Sequence, residues 1–340
     1  MIQYVTGNLL QANVEALINT VNCVGIMGKG IALQFKQAFP ANFDAYAKAC
    51  QQQQIQIGKM FVFNTDAILN PRFIINFPTK KHWRGKSELH FIEQGLTDLK
   101  KIIQERHIQS IAIPPLGCGN GGLDWEIVKP LIENAFIDLA DVLIYVYAPT
   151  GTPASDQMPI NTRKPKMTRA RALLIKLIEL YAEQGYRLSL LEIQKLAYFL
   201  QEAGEPLKLN FQPHHYGPYA ENLHYVLQHI EGHFIRGYGD RDSKPEIYLL
   251  PEAVQAANAF LQDDQAAQLR LNQVARLIEG FETPYSMELL ATVHWISKTQ
   301  SAQSLDDIQQ AIQQWSARKA NLMPSKHIQK ALTQLEQSIF

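Results

Sequence analysis

Residues 16–38 read ALINTVNCVGIMGKGIALQFKQA, and this stretch decides the fold class. Its apolar start, Ala16–Asn19, predicts a strand, and Gly30–Ala38 predicts a helix. A long loop rich in glycine and asparagine, Asn19–Gly30, joins the two. In α/β folds the loops that follow strands are the usual place for ligand sites. The stretch therefore predicts both an α/β fold and a binding loop within it.

The same alternation continues over residues 1–148. Further strands are predicted at Ile2–Val5, Met60–Asn64, Phe73–Phe77, Ser110–Pro114 and Val142–Ala148, and further helices at Ala41–Cys50, Glu88–Arg106 and Trp125–Leu139. The helix Glu88–Arg106 has the clearest pattern, because Ile92, Leu96 and Leu99 recur at helical spacing. Strands that alternate with helices predict a layered α/β domain with a parallel or mixed sheet.

A change of composition after residue 148 divides the chain. Residues 149–167 are rich in proline, serine and threonine without periodicity, which predicts a linker. Residues 168–340 form the predicted second domain, which is mostly helical, with apolar stripes such as the one that includes Leu173, Leu177 and Tyr181. A break at Phe234–Leu250 predicts a β-hairpin or wing inside this helical part.

Composition limits the classes of function. The net charge is zero, with 16 basic and 13 acidic side chains in residues 1–166 and 16 and 19 in the remainder, so DNA binding would require a local patch. Three cysteines without short paired spacing predict neither a disulfide framework nor a zinc site. The chain lacks a signal-peptide pattern and has no apolar run near the ~18 residues of a membrane span. These features predict a reduced, cytoplasmic protein that does not bind a membrane.

Two long loops carry the signature of a phosphate site. Asn19–Gly30 leads into a helix, and Pro115–Gly122 contains four glycines. Glycines let the backbone approach a ligand, and a helix N-terminus favours an anion. The first loop is neither a P-loop nor a Rossmann fingerprint, because Gly30 is followed by Ile31-Ala32-Leu33. Each loop alone could be ordinary turn chemistry, but two in one domain favour a ligand site.

A basic segment follows the strand at Phe73–Phe77. Residues 76–87 read NFPTKKHWRGKS and place Trp83 among lysine and arginine side chains. One interpretation is a solvated basic loop with no partner. The other is a contact for single-stranded nucleic acid, since aromatic stacking combined with phosphate neutralisation is how such strands are held.

These motifs together resemble one branch of the macrodomains. Phe77-Pro-Thr-Lys80 combined with Gly117-Cys-Gly-x-x-Gly-Leu-Asp-Trp125 is similar to the branch that contains the DarG-type DNA ADP-ribosyl glycohydrolases and the terminal ADP-ribose glycohydrolases. The resemblance spans residues 1–148. It implies a three-layer α/β/α fold and a cleft for ADP-ribose, without a metal or another cofactor.

The resemblance also assigns roles to residues. Lys80 matches the family's catalytic lysine and Asp124 its acidic residue, although Asp124 could equally be the N-cap of the helix that begins at Trp125. The residues expected to bind ADP-ribose are Asn8, Leu9, Thr20, Asn22, Ile31, Ala32, Leu33, Gln34, Thr79, Gly117, Cys118, Gly119, Asn120, Gly121 and Tyr147. Those expected to contact DNA are Lys81, Trp83, Arg84 and Lys86. The chain departs from the common Gly-Asp at the first turn, where it has Gly7-Asn8.

Other reactive residues have weaker claims. Cys23 and Cys118 lack a neighbouring histidine or aspartate in sequence, so a nucleophilic role is disfavoured. His214 and His215 do not have the spacing of metal ligands.

The sequence as a whole predicts an antitoxin with two functions. The first domain is expected to remove ADP-ribose from thymidine in single-stranded DNA and to release ADP-ribose as product. The second domain resembles the C-terminal domain of DarG-type proteins and antitoxin domains with a winged-helix-like core. The resemblance implies a mostly helical, winged-helix-like fold that binds the cognate ADP-ribosyltransferase toxin, and the slightly acidic balance favours this partner over DNA. The alternatives are a hydrolase that acts on ADP-ribosylated glutamate or aspartate, and a non-catalytic ADP-ribose reader.

Overall fold

In a computed structural model of the chain, six strands from the first 148 residues form one sheet. They are β1 (Ile2–Val5), β2 (Ala16–Asn22), β3 (Phe61–Asn64), β4 (Phe73–Lys80), β5 (Ser110–Ile113) and β6 (Leu143–Tyr147). The strand order is β1-β6-β5-β2-β4-β3, and the pairs are parallel except for β3, which runs antiparallel to β4. The prediction of a mixed sheet is therefore confirmed.

Four helices cover the two faces of this sheet. They are α1 (Gly30–Ala38), α2 (Pro40–Gln51), α3 (Leu89–Glu105) and α4 (Trp125–Ala135). One core joins Ile18 and Ile75 of the sheet to residues of α3 and α4, such as Ile92 and Val128. Successive strand side chains point to opposite faces, so Leu17 packs on the other side, in a core with residues of α1. The predicted three-layer α/β/α arrangement is confirmed.

Strands β2 and β4 are longer than the sequence indicated. Each continues three residues past its predicted end, as Thr20–Asn22 pair with Phe77–Lys80 around an irregularity at Val21 and Asn22. Pro78 cannot donate a ladder hydrogen bond, yet it fits here because β3 pairs with β4 only as far as Asn76. The extension carries Asn22 and Lys80 to the same end of two neighbouring strands.

A close approach between α3 and β4 depends on Gly95. A β-carbon at this position would lie 2.2 Å from the ring of Phe77, so any larger residue would push the helix away from the sheet. Phe77 and the α3 residue Ile92 are both fully buried. The packed helix therefore holds fixed the strand that ends at Lys80.

The structure describes residues 1–149, 158–182, 186–239, 245–300 and 304–338. Residues 150–157 of the predicted linker lie outside the described residues. Residues 158–163 of the predicted linker belong to the first compact unit, which contains Met1–Arg163. Met158 is buried in the core that contains Leu9, and the main-chain and side-chain amides of Asn161 donate to the carbonyls of Gln37 and Ala38, each at 2.8 Å. The domain boundaries, including a linker over 149–167, stay a prediction.

The second compact unit, from Lys164 onwards, is mostly helical, as expected. Its helices are α5 (Arg169–Tyr181), α6 (Leu190–Glu202), α7 (Leu223–Ile230), α8 (Pro251–Leu261), α9 (Gln265–Ile278), α10 (Pro284–Gln300), α11 (Leu305–Trp315), α12 (Ala317–Leu322) and α13 (Ser325–Gln337). Its strands are β7 (Phe211–His214), β8 (Gly217–Ala220), β9 (Ile235–Arg236) and β10 (Tyr248–Leu249). The antiparallel pair of β9 and β10 lies within the hairpin expected at Phe234–Leu250, whereas the hairpin of β7 and β8 was not predicted. Among the described helices, none is long and apolar enough to span a membrane.

Buried charges fix the β7–β8 hairpin to the helices of this unit. The carboxylate of Glu288 accepts hydrogen bonds from Arg318 at 2.7 and 3.1 Å and from the fully buried Lys319 at 2.6 Å. The amine of Lys195 donates to the carbonyl of Pro218 in β8 at 2.7 Å, and burial lowers the pKa of Lys195 to about 7. The buried side chains of Glu288, Lys319 and Lys195 thus each have a hydrogen-bond partner, as the burial of polar groups requires.

Candidate functional site

The candidate site lies at the carboxyl edge of the sheet. Strands β2, β4, β5 and β6 are parallel, so their carboxyl ends and the loops that follow them share this edge. The edge brings together Asn22, Lys80, the glycine loop Gly117–Gly122 and Tyr147. These residues come from four separate stretches of sequence, and the parallel topology is what unites them.

Asn22 shapes the loop between β2 and α1. Its side-chain oxygen accepts hydrogen bonds from the amides of Val24 at 3.0 Å and Ile26 at 3.4 Å, and its side-chain amide donates to the Ile26 carbonyl at 2.6 Å. The buried hydroxyl of Tyr46 donates to the main-chain carbonyl of Asn22 at 2.6 Å. Asn22 is buried, while the preceding Thr20 is half-buried. The loop therefore has a defined shape in which one hydrogen of the Asn22 amide is already committed.

The N-terminus of α1 can receive an anion. Its N-cap, Lys29, makes no side-chain capping hydrogen bond, so the first amides of the helix are not capped by a side chain. In an α-helix the unpaired amides are those of the N-cap and the next three residues, here as far as Ala32. The amides of Leu33 and Gln34 therefore donate within the helix, which narrows the expected set of phosphate donors to Ile31 and Ala32.

The glycine loop between β5 and α4 is tightly folded. Gly117 and Gly122 have φ angles of 72° and 77°, a region that glycine adopts freely. The amide of Leu123 donates to the Gly117 carbonyl at 3.1 Å, and the amide of Gly122 donates to the Gly119 carbonyl at 3.0 Å. Gly119 and Asn120 are exposed at the tip. The loop thus presents its main chain outward, as a diphosphate site requires.

Lys80 ends β4 and faces this loop. Its amine donates a hydrogen bond to the main-chain carbonyl of Asn120. The side chain is half-buried, and burial lowers the pKa of Lys80 below the usual value for lysine. The charged groups of the neighbouring Lys81 and Arg84 stand 5.4 Å from the ring centroid of Phe91 and 4.5 Å from that of Trp83. Desolvation alone therefore favours the neutral, nucleophilic amine.

Thr79 and Asp124 flank this lysine in different ways. Thr79 is buried, and its hydroxyl donates to the Val21 carbonyl of β2 at 3.4 Å, so it links the two strands that lead into the site. Asp124 is the N-cap of α4, and its carboxylate accepts the amide of Glu126 at 3.0 Å. The carboxylate is also exposed. The capping role of Asp124 is thus observed, and its exposure leaves room for a chemical role as well.

The residues expected around the adenine lie near the ends of β1 and β6. The side-chain oxygen of Asn8 accepts the amide of Leu10 at 3.0 Å and so caps a short 3₁₀ turn, Leu9–Gln11. Leu9 is buried in the same apolar cluster against which the half-buried Tyr147 packs. This cluster gives the edge an apolar end, opposite the polar end at Lys80.

The exposed segment Lys81–Lys86 directly follows Lys80 at the end of β4. Trp83 is 42% exposed, with the Arg84 guanidinium 4.5 Å from its ring centroid. The charged ends of the segment, Lys81 and Lys86, are exposed as well. A flat aromatic ring among exposed cations is suited to stacking on a base and contacting phosphates.

Two features were missed by the sequence interpretation. Ser87 is buried directly beneath the glycine loop, and its amide donates to the Gly121 carbonyl at 3.0 Å. The buried side chain of Asn76 accepts from Asn19 at 3.0 Å and donates to Asn42 at 2.7 Å, which joins β2, β4 and α2 below the site. No pattern in the sequence separates these asparagines and this serine from ordinary polar residues.

The cysteines are unsuited to nucleophilic catalysis. Burial raises the pKa of Cys23 to about 11, and burial together with the charge of Asp124 raises the pKa of Cys118 to about 11. A nucleophilic cysteine requires the opposite shift. Among the described residues, no group of three or more histidine, cysteine, aspartate or glutamate side chains could hold a metal ion.

Comparisons with known proteins agree with this geometry. Residues 18–132 match the Macro domain family. A DNA ADP-ribosyl glycohydrolase of Thermus aquaticus is 51% identical over 336 residues, which cover 98% of this chain and 93% of that protein. The chain belongs to the DNA ADP-ribosyl glycohydrolase family. A member from Mycobacterium tuberculosis is 43% identical over 98% of this chain and 99% of its own length.

One relative combines a glycohydrolase with a transferase. A Thermosipho africanus protein named as a fusion of a DNA ADP-ribosyl transferase with a DNA ADP-ribosyl glycohydrolase is 31% identical over 160 residues, or 43% of this chain and 41% of that protein. In that protein the two opposing activities share one polypeptide.

Proposed function

We propose that this protein hydrolyses the bond between ADP-ribose and thymidine in single-stranded DNA. The observation that carries the proposal is the half-buried Lys80 amine, whose pKa is lowered and which lies against the Asn120 carbonyl of the glycine loop. A reader of ADP-ribose would need the loop but not the amine. The membership of the chain in the DNA ADP-ribosyl glycohydrolase family supports DNA as the substrate.

The lysine chemistry follows from a neutral amine. The nitrogen of Lys80 attacks the anomeric carbon of the ribose, the bond from this carbon to the base nitrogen breaks, and the base leaves with the electron pair and takes up a proton. Opening of the sugar ring gives an imine between Lys80 and the ribose. Water then adds to the same carbon, the carbon–nitrogen bond to Lys80 breaks, and ADP-ribose is released with a free amine restored.

Three groups of residues support this reaction in the proposal. The amides of Ile31, Ala32 and Gly117–Gly121 hold the diphosphate, while Asn8, Leu9 and Tyr147 enclose the adenine. Thr20, Asn22 and Thr79 line the ribose, and Leu33 and Gln34 support the helix that carries the phosphate donors. The carboxylate of Asp124, which is exposed, accepts a proton from the attacking water in this proposal.

The exposed segment Lys81–Lys86 is the reason that we propose single-stranded DNA as the substrate. Lys81, Trp83, Arg84 and Lys86 are accessible, so a base can stack on Trp83 while neighbouring phosphates pair with the cations. A hydrolase that acts on ADP-ribosylated glutamate or aspartate would have no use for an aromatic stacking surface. This surface is the reason that we favour DNA.

One assay tests both the reaction and the segment. We expect the wild-type protein to release ADP-ribose from a thymidine-modified single-stranded oligonucleotide and not from an ADP-ribosylated glutamate peptide. In Trp83→Ala the KM for the oligonucleotide should rise about tenfold with kcat within about twofold, because stacking on one aromatic ring contributes about 1–3 kcal/mol per base.

The matched control is Tyr4→Ala. Tyr4 is also an exposed aromatic, at 44%, with the Lys129 amine 4.7 Å from its ring centroid, but it lies on β1. Its loss should leave the KM unchanged. Cleavage of the peptide but not of the oligonucleotide would replace the proposal with a protein-directed hydrolase, and ADP-ribose binding without release from either would replace it with a reader.

We also propose that residues 168–340 bind the cognate ADP-ribosyltransferase toxin and thereby neutralise it. The Thermosipho protein, in which a transferase is fused to a glycohydrolase, supports a link between the two activities. The slight acidic balance of this half would suit a basic, DNA-binding surface on the toxin. Three free cysteines fit a reducing compartment, and we propose the cytoplasm as the place where both proteins act.

Sequestration and reversal can be measured separately. We expect Lys80→Ala, which lacks the proposed nucleophile, still to suppress DNA modification by the toxin in proportion to its molar ratio. The residual inhibition comes from binding alone, because the modified base can no longer be repaired. If this variant leaves the rate of modification unchanged at a molar excess, the protein does not act by binding the toxin.

A further inference from the structure

The exposed segment Lys81–Lys86 is attached at both ends to the same place in the glycine loop. Lys80, immediately before it, donates from its amine to the carbonyl of Asn120. Ser87, immediately after it, donates from its main-chain amide to the carbonyl of Gly121 at 3.0 Å. The two acceptors are consecutive peptide carbonyls. A movement of the main chain from Asn120 to Gly122, which carries both carbonyls, therefore changes the position of Lys80.

The side chain of Ser87 also lies directly beneath the glycine loop. It is 6% exposed, and its β-carbon and hydroxyl lie 3.1 and 3.3 Å from where a β-carbon of Gly117 would be. The hydroxyl lies 2.4 Å from the corresponding position at Gly121. The loop thus rests on the side chain of Ser87 at two of its glycines.

The hydroxyl of Ser87 has no hydrogen-bond partner within the described part of the chain. An unpaired buried hydroxyl is destabilising, so hydrogen bonding by the side chain does not explain a serine here. Its small volume does, because Ser87 is buried with its β-carbon and hydroxyl already close beneath Gly117 and Gly121. Ser87 is in turn anchored by α3, which begins two residues later and packs into the core through Ile92 and Leu96.

We propose that Ser87 is a positioning residue for Lys80, acting through the main chain from Asn120 to Gly122. By the same connection, Ser87 couples the segment that contacts DNA to the catalytic amine. This inference rests on the proposed glycohydrolase function. It assigns to Ser87 no contact with substrate.

The test compares a variant that places too many atoms beneath Gly117 and Gly121 with a variant that does not. Ser87→Val adds a methyl group beneath Gly117 and Gly121, whereas Ser87→Ala keeps the amide hydrogen bond and removes only the unpaired hydroxyl. We expect kcat on the modified oligonucleotide to fall about 100-fold in Ser87→Val, since a displacement of about 1 Å at a reacting group can cost that much. In Ser87→Ala the kcat should stay within about threefold of the wild type.

A pH profile separates positioning from simple loss of structure. In Ser87→Val the amine of Lys80 is released from the loop toward solvent, so its pKa returns toward the usual value of about 10.4. The rise of kcat with pH, which follows deprotonation of the amine, should move to higher pH. Loss of folded protein would lower kcat at every pH without moving this rise.

The outcomes also separate this inference from the proposed function. If wild-type protein releases ADP-ribose and Ser87→Val shows the same kcat and pH profile, Ser87 does not position Lys80. A fall in kcat with an unmoved profile and a lowered unfolding temperature would also overturn the inference, because it indicates a structural role. If the wild-type protein itself releases nothing, the proposed glycohydrolase function fails first.

Discussion

In Lys80→Ala, release of ADP-ribose from the modified oligonucleotide should fall by at least about 10³-fold in kcat, within the range expected when a proton-transfer or nucleophilic group is lost. The reason is that in the proposed mechanism the amine supplies the attacking electron pair, and the described cysteines near the loops are not suited to replace it. The two half-buried cysteines near the loops have raised pKa values and remain protonated at neutral pH. Single-turnover release of labelled ADP-ribose measures the loss directly.

Two controls make this result specific. Lys101→Ala removes an exposed lysine of α3 that pairs with Glu105, and it should leave kcat unchanged. ADP-ribose should still bind Lys80→Ala, since the diphosphate and adenine contacts come from other residues. Undiminished kcat in Lys80→Ala would remove the lysine from the mechanism altogether.

The pH dependence follows from the direction of the pKa shift. Burial lowers the pKa of Lys80, and the neutral form is the nucleophile. A lower pKa therefore extends activity to lower pH, so kcat in the wild-type protein should reach its plateau below the usual lysine pKa of about 10.4. A plateau reached only near that value would mean that burial does not activate the amine.

How much the sequence could predict differs between the fold and the site. The strands and helices of the first domain follow from local patterns, and α1 at Gly30–Ala38 has the predicted bounds. The ends of β2 and β4 were placed too early because Asn22 and Pro78 are poor strand formers when considered alone. These residues belong to strands because β2 and β4 pair with each other there, and this pairing joins residues that are far apart in sequence.

The site shows the same division. Lys80 and Asp124 could be proposed from the sequence because they stand in recognisable motifs, and their catalytic roles stay a prediction. Ser87 could not, because its role comes from lying beneath Gly117 and Gly121, which are about 30 residues away in sequence. Which of the proposed phosphate donors at α1 have unpaired amides likewise required the actual start of the helix, since Leu33 and Gln34 differ from Ile31 only by their distance from that start.

The second large effect is expected for Gly121→Ala, with a loss of at least about 10³-fold in kcat/KM. A β-carbon at Gly121 would lie 2.1 Å from the Gly117 carbonyl oxygen and 2.4 Å from the Ser87 hydroxyl, far inside van der Waals contact. Since one neighbour is backbone and the other is buried, the loop itself must shift by about 1 Å. A shift of this size can cost about 100-fold in positioning of Lys80, and weaker binding of the diphosphate adds to it.

The same loop contains its own control. A β-carbon at Gly119 would meet nothing within 4 Å, and this residue is not among the glycines with positive φ, so Gly119→Ala should keep kcat/KM within about threefold of the wild type. Isothermal titration with ADP-ribose and steady-state assays on the oligonucleotide would distinguish the two variants. Binding should weaken in Gly121→Ala, and kcat should fall by more than the affinity does. Equal losses at both glycines would indicate that the loop acts only through general flexibility, whereas a loss confined to Gly121 identifies the contact with Gly117 and Ser87 as the element that fixes the catalytic lysine.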